Sequence, residues 1–169
     1  MFQSWSPEGL VSQGAFARDA ASAESQESPL YKEMKHHQLS SDQHLELAKY
    51  CQDVGIAFLS SSFSSGEVDL LDSLDVPAFK VASMDVNNLP LLVYTASKGR
   101  PIVLSTGMAT LGEIETALRV LKDNGSGSVA LLHCVALYPP DDDAVNLGNM
   151  ATLRQAFGTP VGFSDHTLG

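Results

Sequence analysis

The feature that most constrains this chain is an alternation. From about residue 40 onward, short apolar runs trade places with amphipathic stretches every ~20–30 residues, which is how a parallel α/β sheet is written. Ser40 and Gln43 form a capping box that opens a helix with Leu45, Ala48 and Cys51 facing inward, and Gly55 ends it. Ile56 to Leu59 reads as a short strand, followed by the serines of SSSFSS. Val68, Leu70, Leu71 and Leu74 define a second helix, and VPAFKVAS a second strand. Asn88 caps a helix with Pro90 in its first turn, where a missing N–H does no harm. PIVLSTG is a strand. Thr110 and Glu113 form another capping box, before a stripe of Ile114, Ala117, Leu118 and Leu121 that stops at Asn124-Gly125. SVALLHC, NLGNMATLRQAF and VGFS close the chain as strand, helix and strand.

The strands are nearly continuous apolar runs, as expected when both faces are covered. Polar residues gather just after them: Ser61, Lys80 with Ser83, Ser105, His133 and Ser164. In parallel α/β folds the carboxyl ends of the strands share one edge, and ligands bind there. These sequence-distant residues are therefore expected at one mouth. Two architectures fit: an open five-stranded doubly wound sheet, or part of an eight-stranded barrel that normally needs about 250 residues. Periodicity leaves both open.

The formal charge of −10 argues against nucleic acid and anionic membrane surfaces as partners. An anionic substrate would need a few local cations, so each well-placed lysine is informative. Cys51 and Cys134 are too far apart for a disulfide framework or a zinc ribbon, and read as small buried thiols. No apolar run approaches the ~20 residues of a membrane span, and a cytoplasmic protein is expected.

Several residues carry chemistry. Lys80, inside AFKVAS, is costly in an apolar strand unless it reaches an anion or an ion-pair partner. Ser83 and Asp85 follow at the same rim. Ser105-Thr106-Gly107, ahead of a helix, reads either as an anion pocket of hydroxyls and backbone N–H groups or as a plain capped turn. His166 follows Ser164 and Asp165 at a strand tip and reads as a base, a metal ligand or a hydrogen-bonding histidine. His133 is open between a site role and a structural one. His36 and His37 read as solvated loop residues, and the three aspartates Asp141, Asp142 and Asp143 as a solvated turn, since calcium needs alternating ligands and a glycine.

Taken together, FKVAS.D..N.PLL, P.VLSTGMATLGEI, LLHC...YP, VNL and VGFSDHTLG resemble the N-acetylneuraminate (sialic acid) synthase family, in order from Phe2 to Gly169. The opening MFQ is similar to the end of that family's second barrel strand. The resemblance implies a transferase of sialic acid biosynthesis. Its expected fold is α/β: a partial (β/α)8 TIM barrel lacking the first and last strands. Residues 1–40 would form the end of a barrel strand plus a long loop, and 41–169 the central βα units. The reaction implied condenses phosphoenolpyruvate with an N-acetylated aldose, using a divalent metal, Mn2+ or Mg2+.

By the same resemblance, Ser61, Lys80, Ser83, Ser105 and Ser164 match phosphoenolpyruvate-binding positions, and Gln3, Asp85 and Tyr138 positions that contact the sugar. Lys80, Asp85 and His166 are the catalytic candidates, with His166 one of two metal-binding histidines. The chain departs from the family pattern at Met1, where lysine is expected, at Met84, where glycine is common, and at Ser61-Ser62, which replace Thr-Pro. The family's first strand, its second metal histidine and its C-terminal antifreeze-like domain have no counterpart. The expectation is a homodimer for the full-length protein and little or no activity for this chain alone. The rival is a non-catalytic partial barrel that associates or binds phospho-ligands without turnover.

Overall fold

The computed structural model describes residues 1–10 and 28–168 of the 169-residue chain. It divides into two compact units, 1–76 and 77–169.

The first unit contains β1 (Phe2–Ser4), α1 (Pro7–Leu10), α2 (Pro29–His37), α3 (Ser41–Asp53), β2 (Ser60–Ser62) and α4 (Ser65–Ser73). Strands β1 and β2 pair in parallel, with Phe2 opposite Ser60, Gln3 opposite Ser61 and Ser4 opposite Ser62. The expected long loop is interrupted: Ser28 accepts the Tyr31 amide and starts α2, so His36 and His37 lie on its exposed last turn. Residues 11–27 of that expected loop lie outside the described residues.

The capping box at Ser40 and Gln43 is present in both directions. Ala48 and Cys51 of α3 face inward as expected, but His44 rather than Leu45 takes the first inward place. His44 and Cys51 are buried, Leu47 and Ala48 half-buried, and Leu45 is 59% exposed. Those positions keep the helical spacing of a single face. The strand expected at Ile56–Leu59 starts later, at Ser60. The Gly55 amide donates to Gln52 O and the Ile56 amide to Cys51 O, closing a Schellman motif with Gly55 at φ 75°. Ile56 thus belongs to the helix end and cannot also begin an extended strand.

The second unit contains β3 (Phe79–Val81), α5 (Leu89–Ala96), β4 (Ile102–Ser105), α6 (Leu111–Asp123), β5 (Val129–His133), α7 (Gly148–Phe157) and β6 (Val161–Phe163). Single 3-10 turns occupy Ser83–Asp85 and Asp142–Ala144. Strands β3 to β6 pair in parallel and in sequence order. A doubly wound sheet reverses its strand order at a switch point, so this order is that of a barrel segment. Asn88 and Thr110 cap α5 and α6 as the sequence predicts, and Asn124-Gly125 ends α6.

Register sorts the side chains of the second unit. Phe79, Val81, Ile102, Leu104 and Leu131 share one sheet face, and all are essentially inaccessible. Lys80, Val103, Ser105, Ala130, Leu132 and Gly162 share the other. The helices lie on the first face, where Ile114 of α6 and Leu153 of α7 wall a cavity of about 330 Å³ with His133. Among the described residues, no helix is long and apolar enough to cross a membrane.

Candidate anion-binding active site

The face of β3–β6 turned away from the helices carries the polar tips. Lys80 is buried, and its Nζ donates to Ser105 Oγ at 2.7 Å and to Val81 O at 2.8 Å. Neither acceptor is charged, and among the described residues no carboxylate lies within ion-pair distance of the ammonium. Burial lowers the Lys80 pKa to about 8; the nearby Cys134 thiol acts weakly in the opposite sense. A buried cation held by neutral acceptors is the half of an ion pair that an incoming anion completes.

Ser164 continues the same face beyond Gly162, and its amide donates to His133 O at 2.8 Å. Its hydroxyl donates to His166 Nε2 at 3.3 Å. His166 Nδ1 lies 3.0 Å from Val135 O, which makes Nδ1 the protonated nitrogen and Nε2 the one that accepts from Ser164. The Tyr138 ring stacks on this imidazole, with centroids 4.3 Å apart. Asp165 turns elsewhere. It accepts the Thr167 amide, which holds its carboxyl below the usual range and shapes the turn that presents His166.

Asp85 ends the 3-10 turn after β3 and is buried. One carboxylate oxygen accepts from Asn88 Nδ2 at 3.0 Å; Oδ2 has no partner. Burial raises its pKa, and the Asn88 bond only partly opposes this. An orphaned acceptor in a dry position awaits a donor. Ser83, in the same turn, lines a small cavity of about 80 Å³ with Met84, Val86, Met108 and Glu113, without a bond to Lys80.

In the first unit, Gln3 and Ser61 are partners in register on the face of β1–β2 opposite that of Ser4 and Ser60; Gln3 is exposed and Ser61 buried.

The structure thus brings together Lys80 with Ser105, and Ser164 with His166 and Tyr138. It separates His133, which lies on the helix-facing side, donates Nε2–H to Val145 O at 2.6 Å and stacks on Phe163. The two readings left open for His133 resolve as structural, by strand parity alone. The pocket expected at Ser105-Thr106-Gly107 is also altered. The Thr106 amide and hydroxyl both donate to Leu132 O, and α6 begins only after Thr110. Gly107 serves another purpose: a Cβ there would stand 2.5 Å from Cys134 O. Asp141, Asp142 and Asp143 are exposed, and no cluster of three metal-ligating side chains occurs among the described residues. Sequence reasoning missed His44, whose signal was its spacing to Leu47, Ala48 and Cys51.

A sequentially ordered parallel α/β segment, with a buried lysine and strand-tip hydroxyls on the face turned from the helices, defines the class: part of a (β/α)8-type fold. The chain belongs to the NeuB family, which it matches over residues 1–169. It is 47% identical over 128 residues to the N,N'-diacetyllegionaminic acid synthase of Campylobacter jejuni, covering 75% of this chain and 38% of that one. It is 38% identical over 141 residues to the N-acetylneuraminate-9-phosphate synthase of Homo sapiens, covering 82% and 39%. The crystal structure of the N-acetylneuraminic acid (sialic acid) synthetase of Leptospira borgpetersenii serovar Hardjo-bovis, in complex with citrate, superposes with a TM-score of 0.78 at 33% identity. That match covers 82% of this chain and 48% of that one. The chain therefore spans less than half the length of these relatives.

Proposed function

We propose that this chain carries the phosphoenolpyruvate-facing part of a nonulosonate synthase. The enol carbon of phosphoenolpyruvate bonds to the aldehyde carbon of an N-acetylated aldose such as N-acetylmannosamine. Water then adds at the resulting oxocarbenium carbon, and inorganic phosphate leaves as its C–O bond breaks. The observation that carries this reading is the buried Lys80 ammonium, held by Ser105 Oγ and a backbone carbonyl, with no carboxylate of the described residues in ion-pair distance. The names of the relatives, legionaminic and N-acetylneuraminic acid synthases, supply the substrate class.

Lys80 and the hydroxyls of Ser105, Ser83 and Ser164 in the second unit would hold the phosphate and carboxylate of phosphoenolpyruvate; in the first unit, Ser61 is the phosphoenolpyruvate candidate. Such donors act most strongly where charge develops in a dry site. Asp85, with its free Oδ2, would accept a hydrogen bond from the sugar or from the attacking water. Tyr138 is the sugar-contact candidate of the second unit and Gln3 that of the first.

His166 would fit a divalent Mn2+ or Mg2+ through Nε2, since its Nδ1–H is taken by Val135 O; the Ser164 hydroxyl now on Nε2 would have to turn away. The metal, when bound, polarises the sugar aldehyde. One imidazole does not hold a catalytic metal by itself. Little or no turnover by this chain alone is therefore part of the proposal.

Two assays test it. Phosphoenolpyruvate binding, followed by calorimetry on the wild-type chain and on Lys80→Met, is expected in the first and lost in the second. Absence of binding by the wild type overturns the assignment. Phosphate release from phosphoenolpyruvate with N-acetylmannosamine and manganese is expected to be near background, and robust release overturns the claim of incompleteness.

A further inference from the structure

Strands β1 and β2 pose a problem of register. Each has only three residues, and every residue of β2 is serine. A strand normally keeps its register because a slip of one residue would expose its apolar face, and polar strands specify register weakly. Within β2 a slip would exchange one serine for another, and the apolar burial that opposes it lies outside the strand, at Phe58 and Phe63. Within the strands, something other than hydrophobic alternation must hold the pair.

The helix-facing side supplies it. His44 of α3 is 2% exposed, and Ser4 and Ser60 are each 1% exposed. His44 Nδ1 lies 2.8 Å from Ser40 O, a pure acceptor, so Nδ1 carries the proton. With the imidazole neutral, Nε2 is then an acceptor, and Ser4 Oγ, 2.7 Å away, donates to it. Having spent its proton, Ser4 Oγ accepts from Ser60 Oγ, also at 2.7 Å. The chain runs one way only: Ser60 to Ser4 to His44, and from His44 to the backbone of Ser40. It resembles a serine–histidine relay but cannot act as a nucleophile, since no substrate reaches side chains this buried.

We infer that His44 is a positioning residue: through Ser4 and Ser60 it ties β1 to β2, and so holds Gln3 and Ser61 in place on the opposite face. Gln3 and Ser61 are direct register partners, and each is adjacent in sequence to one hydroxyl of the network. Without the network Ser4 and Ser60 would both be buried hydroxyls lacking partners, as Ser62 Oγ already is, so these bonds hold β1 against β2. That Gln3 and Ser61 meet substrate rests on the function proposed above; that His44 fixes their placement does not, and it is measured without ligand.

The experiment uses the whole chain and nuclear magnetic resonance. The wild-type imidazole of His44 is expected as the Nδ1–H tautomer; the Nε2–H tautomer overturns the inference. In His44→Leu, the Phe2 and β2 amides are expected to exchange about tenfold faster or more, while the Ile102 amide in the second unit is unaffected. His44→Gln, whose side-chain oxygen reaches the position of Nε2, is expected to restore exchange to within about threefold of wild type. If His44→Leu fails to fold, His44→Gln and Ser60→Ala carry the test: protected amides in the first and faster exchange in the second support the tie. Wild-type protection in His44→Leu or Ser60→Ala, or lost protection in His44→Gln, removes it.

Discussion

The Nζ of Lys80 lies 2.7 Å from the Oγ of Ser105, across neighbouring strands, and both side chains are buried. The two residues are 25 apart in sequence, and strand register places them on one sheet face. A hydroxyl satisfies one donor of the ammonium without neutralising its charge.

Lys80→Met keeps the aliphatic stem and removes the charge. Replacing an uncompensated buried cation by an apolar chain of similar volume is expected to leave stability unchanged or raise it by about 1 kcal/mol. Urea denaturation reads the stability, and phosphoenolpyruvate titration reads the lost affinity. A clear destabilisation would show that the ammonium already has its counter-charge.

The pH dependence follows from the same residue. Burial brings Lys80 to about 8, below its ordinary 10.5. Between those values the unfolded chain binds more protons than the folded one, so the Lys80 contribution to stability rises with pH across that window. Below it, both states are charged and the burial penalty is present in full. Anion affinity moves the opposite way and is expected to weaken above about pH 8 as the ammonium loses its proton. Calorimetric titration of phosphoenolpyruvate at several pH values checks this.

Asp85→Asn should separate stability from binding. Burial raises the Asp85 pKa, so between the ordinary carboxylate value and the raised one the folded chain binds more protons, and stability falls as pH rises. Removing the charge is expected to stabilise the chain by about 1 kcal/mol at neutral pH, with the gain shrinking in acid. Binding of N-acetylmannosamine is expected to drop. Urea denaturation at acid and neutral pH, with sugar titration, reads both.

Gly107→Ala places a methyl against backbone, where nothing flexible can give way. The loop after β4 must move away from Cys134, at a cost of about 2 kcal/mol by the usual scale of overpacking. Because Ser105 sits two residues upstream, weaker phosphoenolpyruvate binding should accompany the lower midpoint of thermal unfolding.

His133→Leu is the control for strand parity. It removes the bond to Val145 O and the stack on Phe163, and is expected to destabilise by about 1–3 kcal/mol. Phosphoenolpyruvate affinity should hold, because the side chain faces the helices. A selective loss of affinity would place His133 in the site after all.

Much of this was legible because it is local. Capping boxes at Ser40 and Thr110 depend on side chains three residues away, and the glycine at Gly55 on its own φ. The alternation of Lys80 against Phe79 and Val81 also lies within one strand, so its exceptional place could be read directly. The strand at Ser60–Ser62 was not legible. Serine has no preference for extended structure, and the apolar residues just before it are partly consumed by the end of α3. Leu45 and His44 exchanged roles for a similar reason: a histidine in a core is permitted only when distant partners satisfy both nitrogens, and Ser4 lies 40 residues away.

The amino-acid order by itself determined the succession of strands and helices, the polar strand tips and the family, because periodicity, caps and motifs are properties of neighbours along the chain. Only the tertiary structure decided that His133 faces the helices, that Lys80 stands without a carboxylate among the described residues, and that His44 takes the inward place expected of Leu45. Burial, charge pairing and the satisfaction of polar atoms depend on what the fold brings alongside, and that is set by register across strands and packing between layers.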